Sequence, residues 1–180
     1  MALLQPMFVV EFEASHSTKS DMDLVRDVRC AVPLVSMPFD IVKSTVAMFM
    51  AEVLYRLVCD AVQRLDEASS GVANFHLKFL VELSRHLGFY PSGEYREGDY
   101  LDIREGCFVG SMPLSGDAMS VENSRILAQV MAADFDSLAS VQLNRTSRDG
   151  FLMAMLDYFD FHLDSVHTIR SVEILRAVFD

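Results

Sequence analysis

Asp40-Ile41-Val42-Lys43-Ser44-Thr45-Val46-Ala47-Met48-Phe49-Met50-Ala51-Glu52-Val53-Leu54-Tyr55-Arg56-Leu57-Val58-Cys59-Asp60-Ala61 decides the fold class. Its apolar positions Val42, Val46, Phe49, Met50, Val53, Leu54, Leu57 and Ala61 recur at three- and four-residue steps, the period of a helix, and Asp40 stands where an N-cap belongs. Ser69-Ser70-Gly71 interrupts the pattern. A second helical run then carries Val72, Phe75, Phe79, Leu80, Leu83 and Leu87 up to Gly88, a C-terminal stop signal. Two packed antiparallel helices are the expectation.

Upstream, Met7-Phe8-Val9-Val10-Glu11-Phe12-Glu13 puts Phe8, Val10 and Phe12 on one face of a strand. His16 to Asp21 reads as a loop, and Leu24, Val25 and Val28 as a connector with helix-like spacing that ends at Pro33 and Pro38. On this reading the strand has no partner of its own.

Downstream, Tyr100-Leu101-Asp102-Ile103-Arg104 faces Cys107-Phe108-Val109 across Glu105-Gly106, which predicts a hairpin with a two-residue turn in a small β lobe at about 95–115. Ser120 is placed to cap a helix bearing Val121, Ile126, Leu127, Val130 and Met131. Thr146 or Ser147 is placed to cap another with Phe151, Leu152, Met155, Leu156, Phe159 and Leu163, and Ser171–Phe179 forms a short last helix. The fold class is mainly α: a helical bundle with a small β-hairpin insertion and an N-terminal strand.

Composition narrows the function. The 180 residues are 51% hydrophobic, enough for one substantial core. No run approaches the length that would span a bilayer, and Met1-Ala2-Leu3-Leu4-Gln5-Pro6 lacks the basic start of a secretory signal, so a cytoplasmic address without membrane contact is expected. Cys30, Cys59 and Cys107 are odd in number and far apart, so they read as reduced thiols. Fifteen basic against 26 acidic residues give a net charge of −11, which repels polyanions at long range. DNA binding by this chain is expected to be weak or absent.

Chemistry is sparse. His76, His86, His162 and His167 fall in no metal-ligand frame. Asp157, Asp160 and Asp164 share one side of a helix at three- and four-residue spacing, which suits either a solvated acidic face or, as an alternative, a metal-dependent hydrolase. No glycine-rich phosphate loop and no nucleophile elbow occurs, so no catalytic residue, metal or cofactor is expected. Lys78 and Arg85, seven residues apart, lie on one side of the second helix beside Phe75, Phe79, Phe89 and Tyr90. Periodicity alone makes the aromatics core and the cations solvent-facing. The other reading is a seat for an acidic, hydrophobic peptide end.

Read in order, Leu4-Gln5-Pro6, Val28-Arg29, Ala31-Val32-Pro33-Leu34, Ala51-Glu52-Val53-Leu54-Tyr55-Arg56, Ala73-Asn74-Phe75-His76 and Leu83-Ser84-Arg85-His86-Leu87-Gly88-Phe89-Tyr90-Pro91 resemble the RecO family of recombination mediators in Bacteroides-type bacteria. The collinearity continues through Glu105-Gly106-Cys107-Phe108-Val109, Pro113-Leu114, Phe161-His162-Leu163 and Ser171-Val172-Glu173-Ile174-Leu175. The resemblance implies an N-terminal OB-fold, a helical bundle and an inserted lobe that holds zinc through four cysteines in many members; with Cys107 alone in that lobe, zinc is not expected here.

It also implies DNA binding and annealing, recognition of the acidic tail of single-stranded-DNA-binding protein, and cooperation with RecR in loading RecA on gapped DNA. Matched to the family, residues 1–14 would hold the last strand of the OB-fold and 15–180 the helical domain. A dozen residues usual in the family between the matches to Tyr55-Arg56 and Gln63-Arg64 are missing, so the first helix is expected to run unbroken towards Asp66. The resemblance implies a tail-peptide pocket at Lys78, Phe79 and Arg85, with Phe75 beside them, and puts Arg29 at the domain junction. A remaining alternative is a helical protein without a repair role, whose exposed strand seeks another chain.

Overall fold

A computed structural model describes residues 8–15, 24–163 and 171–178. Among them the chain is mainly helical, with two small antiparallel sheets. It divides into two compact units, Met1–Val62 and Gln63–Asp180, parted within the first helix.

In the first unit, β1 (Val10–Ser15) pairs antiparallel with β2 (Leu24–Cys30), so the N-terminal strand does have a partner and residues 24–30 are not a connector. The register steps from Glu11↔Arg29 to Glu13↔Arg26, so β2 carries one extra residue, and Asp27 takes a φ of 52° at that bulge. The extra residue accounts for the misleading spacing. It puts Val25 and Val28 three apart while leaving both on the face of Phe12 and Ala14, and an apolar step of three imitates a helix. Glu11 opposite Arg29 and Glu13 opposite Arg26 make the other face a set of cross-strand charge pairs.

The first helix, α1 (Ile41–Glu67), runs 27 residues without a break, as the missing connection implied. Asp40 Oδ1 accepts from the N–H of Val42 and of Lys43, satisfying the first turn. Its apolar stripe is not packed as expected: Val42, Val46, Phe49 and Met50 are all exposed, and only Ala47 and Ala61 are buried.

The second unit contains the large core. Its first long helix, α2 (Val72–Leu87), starts after Gly71, where φ is 73° and an added Cβ would lie 2.8 Å from Ala139 N, so only glycine fits the turn. This helix packs against α3 (Val121–Ala132), α4 (Arg145–His162) and a 3-10 turn at Phe135–Ser140. Leu77, Val81, Ile126, Leu127, Val130, Phe151, Met155 and Tyr158 are wholly out of water at their junction. Ser120 caps α3 through the N–H of Asn123, as expected. The cap of α4 is Asn144, through the N–H of Ser147, rather than Thr146 or Ser147; Asn competes on equal terms with Ser for this role.

The β lobe has three strands, β3 (Tyr100–Asp102), β4 (Cys107–Val109) and β5 (Ala118–Met119), in the order β4-β3-β5. Asp102 pairs with Cys107, so four residues make the turn rather than two. Asp102 Oδ1 accepts from the N–H of Arg104 and of Glu105, and its carbonyl accepts from Gly106, which stabilises the longer turn. The third strand is two residues long and carries too little pattern to read.

The lobe is tied to the helices at its backbone. Buried Ser124 of α3 accepts from the N–H of Leu101, and His162 of α4 bonds the carbonyl of Ile103 at 3.0 Å. The Tyr158 hydroxyl donates to the carbonyl of Phe89 at 2.7 Å, and burial above all pushes its pKa up to about 12. A short helix, α5 (Ser171–Val178), closes the described chain. Among the described residues, no helix is long and apolar enough to cross a membrane.

Candidate partner-binding site

One face of α2 carries Lys78, Glu82 and Arg85 at steps of four and three residues. Glu82 is the link: its Oε1 lies 2.9 Å from Lys78 Nζ and its Oε2 lies 3.3 Å from Arg85 Nε. The two cations singled out from sequence are therefore brought together, but through a carboxylate that went unnoticed there. The signal for it was present, because a Lys-x-x-x-Glu-x-x-Arg spacing puts all three on one face.

Lys78 is 4% exposed. Its ammonium also donates to the carbonyls of Val130 at 3.2 Å and Met131 at 3.4 Å, in the last turn of α3 where backbone acceptors lack helical partners. It is thus a side-chain cap on the C-terminal end of α3, where a cation is favoured by the helix dipole. Arg85 is different: its side chain is 55% exposed, and its guanidinium lies 4.1 Å from the centre of the Tyr90 ring.

Phe75 is buried with its ring 4.8 Å from that of Phe135, and Phe79 is half-buried. Arg29 is exposed on β2, opposite Glu11. What remains at the surface of α2 is a stacked guanidinium beside an aromatic ring, able to take a carboxylate by a charge-assisted hydrogen bond.

Asp157 is exposed and Asp160 half-buried on α4, while Asp164 lies outside the described residues. Among the described residues, His, Cys, Asp and Glu side chains gather nowhere in a group of three able to hold a metal ion. His162 is instead stacked on Phe89 with ring centres 4.8 Å apart, and Cys30, Cys59 and Cys107 are free thiols.

The class the fold defines is a mainly helical scaffold with a small β lobe, which offers a surface cation and aromatic contacts on α2. The comparisons with known proteins are specific. The chain is 32% identical to the DNA repair protein RecO of Phocaeicola vulgatus, over 98% of this chain and 79% of the relative. It is 31% identical to the protein of that name from Bacteroides fragilis, over 99% and 80%, and 28% identical to that of Flavobacterium psychrophilum, over 99% and 79%. The chain belongs to the RecO family. No family model and no solved structure matches it.

Proposed function

We propose that this chain is a DNA repair and recombination mediator module that works by holding protein partners. The observation that carries the reading is the similarity to RecO proteins along nearly the whole chain. Its partners are the acidic tail of single-stranded-DNA-binding protein and RecR, and its task is to help load RecA on gapped DNA. With a net charge of −11, it draws little affinity from DNA itself. It performs no catalysis.

The tail peptide is taken at α2. The exposed side of Arg85 binds a carboxylate, and Tyr90 and half-buried Phe79 offer apolar area to an aromatic end. Lys78 and Phe75 act from beneath: Lys78 holds Glu82, which orients Arg85, and Phe75 anchors α2 in the core. Arg29 braces the junction between domains.

Fluorescence anisotropy with a labelled acidic peptide ending in Phe tests this. Arg85→Glu should weaken binding at least about tenfold by replacing attraction with repulsion. Wild-type affinity in that variant would sink the site, and absence of binding by the unaltered chain would sink the partner reading.

A further inference from the structure

The carboxylate of Glu82 is divided between two cations in unlike surroundings. Its Oε1 meets the buried ammonium of Lys78 at 2.9 Å, which the carbonyls of Val130 and Met131 hold in place as well. Water is largely excluded there, so the attraction is strong and the partner is fixed. Its Oε2 meets the Nε of Arg85 at the longer distance of 3.3 Å, on a side chain that is 55% exposed. Solvent screens that contact, and an exposed pair of this kind is weak. One end of the carboxylate is anchored, and the other yields readily.

The yielding end sits on the group that a peptide carboxylate would use. The Tyr90 ring, with its centre 4.1 Å from the guanidinium, keeps Arg85 in place when its anion is exchanged. A carboxylate arriving from solvent meets a like charge on Glu82, and gains the Nε of Arg85 only if Oε2 lets go. Letting go does not strip Lys78 of its counter-charge, because Oε1 stays on Nζ. An unpaired buried ammonium would be far more destabilising than the loss of the exposed contact. The geometry therefore allows Glu82 to swing between a bridge to both cations and a contact with Lys78 alone.

We propose that Glu82 is an internal competitor for the ligand's carboxylate and makes the α2 site selective for an acid that also brings an apolar anchor; this rests on the peptide site read at Arg85, Tyr90 and Phe79. A resident carboxylate on the same helix competes at an effective concentration in the millimolar range or above, so a simple carboxylate such as acetate does not displace it. A peptide ending in Phe does, since burial of its ring against Tyr90 and half-buried Phe79 offsets the loss of the Glu82 contact.

Fluorescence anisotropy of the full chain with the labelled acidic peptide ending in Phe tests the proposal. Glu82→Gln keeps an acceptor for Lys78 and removes the competing charge, and should tighten binding about five- to tenfold. Glu82→Asp keeps the charge but is one methylene shorter, so it holds Lys78 without reaching Arg85 and should tighten binding about threefold. In an Arg85→Gln background, Glu82→Gln should bring no gain, which separates competition for the guanidinium from a general change in the helix. Acetate at about 10 mM should leave the peptide affinity of the unaltered chain untouched and weaken that of Glu82→Gln. Unchanged affinity in both Glu82 variants would overturn the proposal, as would a gain that persists without Arg85. Hydrogen exchange of the Arg85 Nε–H, followed by NMR, reads the resting contact with no peptide present. Exchange should be faster in Glu82→Gln, and equal rates would overturn the internal contact whatever the peptide does. Faster exchange in that variant, with no peptide bound by any form of the chain, would instead defeat the peptide site and this proposal with it.

Discussion

Two helices with equally clear apolar stripes meet different fates in this molecule. In α2, Leu77 and Val81 are wholly buried, sealed by α3, α4 and the 3-10 turn. In α1, Val42, Val46, Phe49 and Met50 keep half or more of their surface, or close to it, in water. Burial of a large aliphatic side chain is worth about 1.5–3 kcal/mol, so the two stripes differ greatly in what they contribute to stability. A stripe in the sequence marks a face able to be buried. Whether it is buried depends on what the rest of the chain brings to it.

The sharpest way to break this contrast is to delete apolar volume on each side of it. Leu127→Ala on α3, at a fully buried position, should cost about 3 kcal/mol in denaturant unfolding, through lost transfer energy and a cavity. Phe49→Ala on α1, at 66% exposure, should stay within about 0.5 kcal/mol in the same assay. Equal costs would mean that α1 buries its stripe in solution.

Next comes the ion network that distinguishes α2 from a plain core helix. Lys78→Met keeps most of the aliphatic volume but removes the cap from α3 and leaves Glu82 without its closest cation, so it should cost about 2 kcal/mol. Arg85→Met, at a pair whose cation is mostly exposed, should cost no more than a few tenths of a kcal/mol. If the two cost the same, Lys78 is not the buried cap described above.

The smallest effect is in pH. His76 has its folded pKa lowered from 6.5 to about 4, so the unfolded chain takes up a proton first as pH falls. Its contribution is therefore constant above about pH 6.5 and destabilising as pH drops towards 4, with a slope of at most about 1.4 kcal/mol per pH unit. His76→Gln should flatten that part of the stability profile, measured by urea midpoints between pH 7 and pH 4.5. An unchanged profile would mean that the imidazole is not held neutral by burial and Arg148.

Much of the helical architecture was legible. The stop at Gly88 and the cap at Ser120 follow from local rules that depend on a few neighbouring residues, while the unbroken run of α1 was implied by the residues missing relative to the family. The pairing of β1 with β2 was not legible, because the bulge at Asp27 replaced a step of two by a step of three and so carried the signature of another element. The turn between β3 and β4 was misjudged by two residues, since Asp102 stabilises a longer loop than the Glu105-Gly106 pair suggested.

For the site, sequence placed Lys78 and Arg85 on one face, because spacing along a helix is a geometric constant. It gave no sign that one of them would be 4% exposed and spent on the carbonyls of Val130 and Met131, about fifty positions away. Nor did it join His76, Arg148 and Arg176, which α2, α4 and α5 bring to one cleft from three separate stretches of chain. Family membership, helix positions and the faces they present belong to the sequence by itself, since each rests on residue order and local period. Which cation is buried, which stripe stays wet and which side chains share a cleft were decided only by tertiary structure, because burial and contact are set by neighbours that the chain brings together only on folding.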